Sequence, residues 1–154
     1  MKKKFKRSKY NVKKVKPVYE GIEFDSKLEM NVYKYFNECD DIEILGVQPF
    51  FLLFEPFSYY CLEKGKMRKY GKMSYKPDIK IRMDGIDKDI IIEVKGLPTP
   101  SYMMRKKLWY SQNWEDYYFL EIRSLKKGII LMDELRKRGE IKWSKLRLGQ
   151  NLLS

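Results

Sequence analysis

The chain contains no histidine among its 154 residues and only two cysteines, Cys39 and Cys61. The absence of histidine excludes nucleophilic sites that need a histidine base, nucleases of the HNH type, and zinc or iron sites built on histidine. The two cysteines lack CxxC spacing, so we expect reduced, partly buried residues of an intracellular protein. Any catalysis must therefore use carboxylates, lysine, tyrosine or cysteine.

Long apolar runs are also missing. No stretch approaches the roughly 18 consecutive apolar residues of a membrane span, and the basic N-terminus is not followed by an apolar signal core. We therefore expect a protein that is neither secreted nor inserted in a membrane. With a mass of 18.7 kDa and 44% hydrophobic residues, the chain suits one domain with its own core.

Positive charge is in excess, because 33 lysines and arginines face 21 acidic residues and give a formal net charge of +12. Such a balance favours polyanionic partners, nucleic acid first and an anionic membrane second. Residues 1–16 carry many of these cations and no acid, which predicts a flexible basic arm over residues 1–17 and a single domain over residues 18–154.

The cations of this arm could bind a phosphate backbone, and a solvated tail that aids solubility is the alternative. A membrane anchor is a weak third interpretation, because the arm has too few apolar side chains for an amphipathic helix. The arm residues that we expect to contact DNA are Lys3, Lys4, Lys6 and Arg7.

The first part of the domain predicts a helix and then a strand. Ser26 and Glu29 form the S-x-x-E pattern of a capping box, and apolar side chains follow at helical spacing to about residue 37. Ile42–Val47 is typical of a short strand, and an apolar segment follows at residues 50–54.

Residues 64–72 hold five cations and two glycines between apolar segments, which predicts an exposed hairpin or loop. Lys66, Arg68 and Lys69 could hold phosphates while neighbouring tyrosines stack on bases. An ordinary solvated turn explains the same composition equally well. The neighbouring tyrosines are Tyr59, Tyr60, Tyr70 and Tyr75.

Two alternating segments follow, residues 77–83 and residues 90–95, separated by a turn-rich stretch. They predict an antiparallel pair of strands that brings Asp78 alongside Glu93 and Lys95. Beyond them the sequence predicts a helix over residues 101–112, a strand at Tyr117–Ile122 and a helix over residues 128–138, where a strand remains the alternative.

Three carboxylates and one lysine can be drawn together by this arrangement. Glu29, on the first turn of a flanking helix, joins Asp78 and Glu93 as a third carboxylate. Hard oxygen ligands of this kind suit Mg²⁺ and phosphodiester hydrolysis, and Lys95 could orient or deprotonate the attacking water. Each residue also has a plain structural interpretation: a strand-start aspartate, a capping glutamate and a surface ion pair.

Four motifs occur in an order that resembles the PD-(D/E)xK nuclease superfamily, and within it the junction-resolving branch of phage endonuclease I and the RecU-type resolvases. The resemblance covers residues 19–110. The motifs are Tyr19-Glu20-Gly21-Ile22 leading into Phe24-Asp25-Ser26-Lys27-Leu28-Glu29, then Val47-Gln48-Pro49, Lys76-Pro77-Asp78-Ile79, and Ile92-Glu93-Val94-Lys95-Gly96 before a basic helix.

The resemblance implies an α/β fold with a restriction-endonuclease-like core, in which helices flank a mixed central β-sheet. It implies that Asp78, Glu93 and the Val94 carbonyl are metal ligands and that Lys95 is the catalytic lysine. Glu29 would be the remaining acidic site residue, bonding a metal or its water.

Gln48 falls where some relatives carry a further carboxylate, so it is a candidate for a residue that contacts the metal ligands without binding the metal itself. Its amide brings no charge, which leaves a second metal in doubt.

The activity implied by the resemblance is that of a metal-dependent endodeoxyribonuclease acting on branched DNA of the Holliday junction type. Mg²⁺ would be the cofactor, with Mn²⁺ as a candidate substitute. By the same analogy the protein would be a homodimer in the cytoplasm of a bacterium or a phage-infected cell. The residues of the basic helix that would hold DNA are Arg105, Lys106 and Lys107.

Two other functions remain open on the sequence. One is a transposase-type or restriction-type DNA end cutter that works with a partner, and the other is a non-catalytic nucleic-acid-binding protein. The second explains the basic arm and the tyrosines but not the placement of Asp78, Glu93 and Lys95.

Overall fold

The computed structural model describes the backbone of residues 15–150 and the side chains of residues 15–139, so the expected DNA contacts of Lys3, Lys4, Lys6 and Arg7 lie outside the described residues. The elements are β1 (Val18–Tyr19), β2 (Ile22–Glu23), α1 (Lys27–Asn37), β3 (Ile42–Val47), β4 (Phe51–Phe54), β5 (Phe57–Cys61), a 3₁₀ turn (Leu62–Lys64), β6 (Lys66–Tyr70), β7 (Met73–Tyr75), β8 (Ile79–Met83), β9 (Asp89–Val94), α2 (Pro100–Asn113), β10 (Tyr117–Ile122) and α3 (Leu125–Gln150).

The protein has an α/β fold with a mixed central sheet of strand order β10-β9-β8-β3. Strands β10 and β9 are parallel, whereas β9 with β8 and β8 with β3 are antiparallel. Helix α2 connects the two parallel strands, as a parallel pair requires a crossover. The predicted fold class, a mixed sheet flanked by helices, is thereby confirmed.

Both faces of the sheet are covered, which explains why β9 is apolar at successive positions rather than at alternate ones. On one face Ile90 and Ile92 of β9 join a core with α1 and α3. On the other face Ile91 packs in a second core with Trp109 of α2 and Leu53 of β4. Glu93 therefore lies in a strand buried on both sides.

Helix α1 starts as the capping box predicts. The Ser26 side chain accepts a hydrogen bond from the Glu29 N–H at 3.1 Å, and Glu29 in turn accepts one from the Asp25 N–H at 3.0 Å. Val32 and Phe36 are buried in the core, as their spacing predicts. Tyr33 is buried as well, because its ring packs against Phe24 at a centroid distance of 5.2 Å.

The last helix is longer than predicted, since α3 runs over Leu125–Gln150 rather than residues 128–138. Two glycines in it allow close packing. A Cβ at Gly128 would lie 3.0 Å from the Ile122 side chain, and one at Gly139 would lie 3.4 Å from the Gly85 carbonyl oxygen. Gly128 therefore packs on β10, and Gly139 packs on the turn that follows β8.

Three further strand pairs lie outside the central sheet, β1 with β2, β4 with β7 and β5 with β6, and all three are antiparallel. The β5–β6 pair confirms the exposed hairpin predicted at residues 64–72. Cys61 ends β5 as a half-buried free thiol, like Cys39. No helix in the described part of the chain is long and apolar enough to span a membrane.

Candidate active site

Asp78 and Glu93 lie together where β8 begins and β9 ends. The Asp78 N–H donates to the Ile92 carbonyl oxygen at 3.1 Å, and the Val94 N–H donates to Asp78 Oδ2 at 2.6 Å. Because Ile79 pairs with Ile92 in the antiparallel ladder, the next pair outward is Asp78 and Glu93. The strand pairing predicted from the alternating sequence thus places the two carboxylates side by side.

Glu93 is only 6% exposed and is the one charged residue classed as buried among those whose side chains are described. Tyr75, the last residue of β7, donates its hydroxyl to Glu93 Oε2 at 2.6 Å. Lys95 lies on the other side, with Nζ at 3.9 Å from Glu93 Oε1. One buried carboxylate therefore has a neutral donor on one oxygen and an ammonium near the other.

Burial makes this pair of carboxylates costly to ionise. Desolvation, followed by the negative charge of Glu93, raises the pKa of Asp78 to about 7. Desolvation likewise raises the pKa of Glu93, against the opposing effects of Tyr75 and Lys95. The ionised forms of these two adjacent carboxylates are therefore not fully stabilised by the neighbouring groups. Perturbed pKa values of this kind are typical of functional sites.

Lys95 follows β9 and is held by main-chain and side-chain contacts. Its N–H donates to the Ile122 carbonyl oxygen at 3.0 Å, which extends the pairing with β10. Its Nζ lies 5.2 Å from the centroid of the Tyr102 ring on α2. The ammonium is therefore confined between the Glu93 carboxylate and the face of Tyr102.

Tyr102 is fixed in turn by Glu121, the β10 residue that pairs with Glu93 across the parallel strands. Tyr102 donates its hydroxyl to Glu121 Oε2 at 2.7 Å, and Lys106 Nζ lies 2.9 Å from the same oxygen. Burial alone would raise the pKa of Glu121, but hydrogen bonds from Tyr102, Lys106 and Arg123 hold that pKa at about 2. Glu121 is thus a fully ionised anchor beside the carboxylate pair.

Glu29 lines the same cleft, and its charge contributes to the raised pKa values of Asp78 and Glu93. Both of its carboxylate oxygens already accept hydrogen bonds, Oε1 from Ser26 Oγ and Oε2 from the Asp25 N–H, each at 3.0 Å. The capping role of Glu29 is therefore directly visible, and its metal-binding role stays a prediction.

Gln48 contacts the site through its backbone. It follows β3 with a φ of 50°, in the left-handed region that non-glycine residues seldom occupy, and its N–H donates to the Asp78 carbonyl oxygen at 2.8 Å. The Gln48 residue is exposed. Its backbone thus positions the start of β8 from the β3 side.

These groups open onto a cleft of about 610 Å³. Arg105 of the predicted basic helix lines it, Lys106 forms its ion pair with Glu121, and Lys107 is exposed on α2. The charged residues of the lining are Asp25, Glu29, Asp78, Glu93, Lys76, Lys95 and Arg105, with Val94 among the uncharged ones.

The residues of this cleft fit a small hard cation. Mg²⁺ in proteins is commonly held by one or two carboxylates and retains several waters. Asp78 and Glu93 supply two carboxylates whose pKa values desolvation raises despite the nearby Lys95 ammonium. Within residues 15–139, no set of three acidic or cysteine side chains is grouped closely enough to enclose an ion.

Three residues of the site were not predicted from the sequence as members of it: Tyr75, Tyr102 and Glu121. Tyr75 was grouped with the tyrosines near residues 64–72, although it ends a strand that leads directly to Asp78. Tyr102 and Glu121 are brought in by helix packing and by the parallel pairing of β10 with β9. Neither contact has a local sequence signal.

We expect Tyr75 and Glu93 to be energetically coupled, because a hydrogen bond from a hydroxyl to a buried carboxylate is worth about 1.5–3 kcal/mol. Urea unfolding of Tyr75→Phe, Glu93→Met and the double variant should give a coupling free energy of that order, because methionine removes the acceptor oxygen. Additive effects of the two substitutions would contradict the contact.

The fold and the cleft define an α/β protein with a pair of carboxylates, the buried Glu93 and the half-buried Asp78, and an adjacent lysine. The protein belongs to the family described as "Protein of unknown function (DUF1064)", whose model matches residues 7–128. No curated protein and no solved structure matches the chain. The family match includes the whole of the cleft from Asp25 to Arg105.

Proposed function

We propose that this protein is a Mg²⁺-dependent endodeoxyribonuclease that hydrolyses phosphodiester bonds in the cleft at the end of β9. The observation that carries the proposal is the pair formed by the half-buried Asp78 and the buried Glu93, with the Lys95 ammonium beside it. The resemblance to the PD-(D/E)xK nucleases supports the proposal, and on it the mixed sheet would be a restriction-endonuclease-like core.

The residues divide the chemistry among them. Asp78 and Glu93 would hold the divalent cation with the Val94 carbonyl, and Glu29 would bond the cation or its water. The bound cation would neutralise charge on the scissile phosphate and lower the pKa of a water. Lys95 would orient the attacking water and offset negative charge that develops on phosphorus.

Basic surfaces around the cleft would hold the DNA backbone. Arg105 lines the cleft itself, and Lys66, Arg68 and Lys69 are exposed on β6. Contacts of this kind to phosphates position DNA without reading its sequence. Lys106 is the weakest member of the expected set, because its ammonium is engaged by Glu121.

Branched DNA is the substrate that this arrangement favours, because phosphate contacts respond to the shape of DNA rather than to its bases. Cutting two strands of a symmetric junction would require two such sites, which makes a homodimer the expected assembly. Such an enzyme would act in the cytoplasm of a bacterium or of a phage-infected cell.

The experiment that tests the proposal compares a four-way DNA junction with a linear duplex of the same sequence, in Mg²⁺ and in EDTA. We expect Mg²⁺-dependent cleavage of the junction and little of the duplex. Equal cleavage of both substrates would keep the active site and reject the selectivity for branches. Cleavage of neither, with tight binding retained, would favour a non-catalytic nucleic-acid-binding protein or a missing partner.

Deleting residues 1–14, which hold eight of the arm's cations, should weaken DNA binding and flatten its dependence on salt. Each lysine–phosphate contact releases counterions, so losing contacts lowers the slope of log K against log salt concentration. Fluorescence anisotropy between about 50 and 200 mM salt measures that slope. Unchanged affinity and slope would show that the arm does not bind DNA.

A further inference from the structure

The β5–β6 hairpin, residues 57–70, forms a two-stranded ribbon with both faces exposed. Directly paired residues of antiparallel strands lie on the same face. One face, which we call the ladder face, carries five aromatic or basic side chains together with Cys61. The opposite face carries four side chains, of which Tyr60 and Lys69 are aromatic or basic. The ladder face holds Phe57, Tyr59, Cys61, Lys66, Arg68 and Tyr70, and the opposite face holds Ser58, Tyr60, Met67 and Lys69.

The rings of the ladder face form a continuous row. Tyr59 and Tyr70 stack with centroids 5.2 Å apart and ring planes at 16°, and Phe57 contacts Tyr70 at 5.5 Å. Phe57 is still 50% exposed and Tyr70 is 56% exposed. The row therefore aligns its rings while leaving about half of two of them available to a partner, and exposed apolar surface of this kind marks interaction sites.

Two cations lie at one end of this row. Arg68 pairs directly with Tyr59 across the ribbon, and Lys66 belongs to the next pair on the same face, opposite Cys61. Residues 57–72 contain five lysines and arginines and one acid, Glu63, so the segment carries a net charge of +4. Rings beside cations suit the bases and phosphates of a nucleic-acid strand.

The ribbon leads directly to the cleft. Strand β6 ends at Tyr70, and five residues later Tyr75 donates its hydroxyl to Glu93. Five residues of extended chain span at most about 18 Å. A strand of DNA seated on the ribbon could therefore reach Asp78 and Glu93 within a few nucleotides.

We infer that the ladder face binds unpaired nucleotides, with bases stacking on Tyr70 and Phe57 and phosphates held by Arg68 and Lys66. Aromatic side chains stack on bases that are free of a duplex, whereas a duplex offers the ribbon chiefly its phosphates. The inference deepens the proposed function by naming single-stranded DNA beside the cut as part of the substrate.

The test measures binding of the full chain to a fluorescent oligothymidine and to a duplex, in EDTA so that no cleavage occurs. Tyr70→Ala should weaken oligothymidine binding at least about five-fold, the lower limit for losing one stacked base. Tyr60→Ala, an equally exposed tyrosine on the opposite face, should change it less than two-fold, as should Tyr70→Phe, which retains the ring. Duplex binding should change little in all three variants.

Charge provides a second pair of variants that leaves the aromatic row intact. Arg68→Gln should weaken oligothymidine binding more than Lys69→Gln, because only Arg68 lies on the ladder face. Equal effects of Arg68→Gln and Lys69→Gln, or an equal loss of affinity for the duplex and for oligothymidine, would overturn the inference. A wild-type dimer that Tyr70→Ala converts to a monomer would also overturn it, since the row would then be a protein interface.

Binding in EDTA is independent of catalysis, so the two claims can fail separately. If the protein binds oligothymidine through the ladder face but cuts no DNA, this inference stands and the proposed nuclease activity fails. If the protein cuts DNA but the Tyr70→Ala variant binds oligothymidine as tightly as the wild type, the proposed nuclease activity stands and this inference fails.

Discussion

On the proposed function, we expect replacement of Lys95 by alanine to lower the rate of DNA cleavage by about 10²–10⁴-fold, the range for losing a positioned proton-transfer group. The ammonium of Lys95 lies 3.9 Å from Glu93 and faces the Tyr102 ring, so it is held at the carboxylate pair and not on a phosphate-binding surface. Affinity for DNA should therefore change little. Single-turnover cleavage and anisotropy on the same substrate measure the two quantities.

Lys126→Ala is the matched control for this prediction, because Lys126 is exposed on α3 and takes no part in the cleft. The control variant should cut at the wild-type rate. A Lys95→Ala protein that cuts as fast as the control would remove Lys95 from the chemistry. A Lys95→Ala protein that fails to bind would assign it to substrate binding instead.

We expect replacement of Asp78 by asparagine to stabilise the metal-free protein at pH 8, by up to roughly 4 kcal/mol. The pKa of Asp78 rises from 3.8 to about 7 on folding, mainly because the carboxyl group is desolvated and secondly because Glu93 is adjacent. The folded state therefore binds a proton that the unfolded state has lost, and stability falls as pH rises from about 4 to 7. Asparagine carries no charge to bury and keeps an oxygen for the Val94 N–H.

Urea unfolding in EDTA at pH 5 and pH 8 measures this effect, and the gain should be larger at pH 8. Asp84→Asn is the control, because Asp84 directly follows β8 as Asp78 directly precedes it, and Asp84 is exposed. Asp84→Asn should show no comparable gain. If Asp78→Asn were destabilising at pH 8, or if its effect were the same at both pH values, burial would not be destabilising the ionised form of Asp78.

The sequence predicted those features that depend on local patterns. The capping box of Ser26 and Glu29 fixed the start of α1, and period-two alternation fixed the pairing of β8 with β9. That pairing was sufficient to place Asp78 beside Glu93, because the two strands are joined by a short turn. The candidate carboxylate pair therefore follows from nearest-neighbour geometry.

Contacts that depend on packing between distant segments could not be predicted in the same way. Glu121 lies next to Glu93 only because β10 is parallel to β9, and Tyr102 reaches Glu121 only because α2 packs on that face of the sheet. The residues of the ladder face could be identified only from the observed strand register, because the composition of residues 64–72 fits an ordinary turn equally well. Helix α3 runs beyond the predicted residues 128–138 at both ends, and within it Gly128 and Gly139 lie at close contacts with other elements.

The most direct test of the central claim is a Mg²⁺ titration of single-turnover junction cleavage by the wild-type and Asp78→Asn proteins. The carboxylate pair predicts saturable dependence on Mg²⁺ for the wild type, none in EDTA, and no cleavage by Asp78→Asn at any Mg²⁺ concentration, although that variant still folds and binds DNA. Cleavage by Asp78→Asn at the wild-type rate, or by the wild type in EDTA, would contradict the claim that Asp78 and Glu93 form a metal-dependent nuclease site.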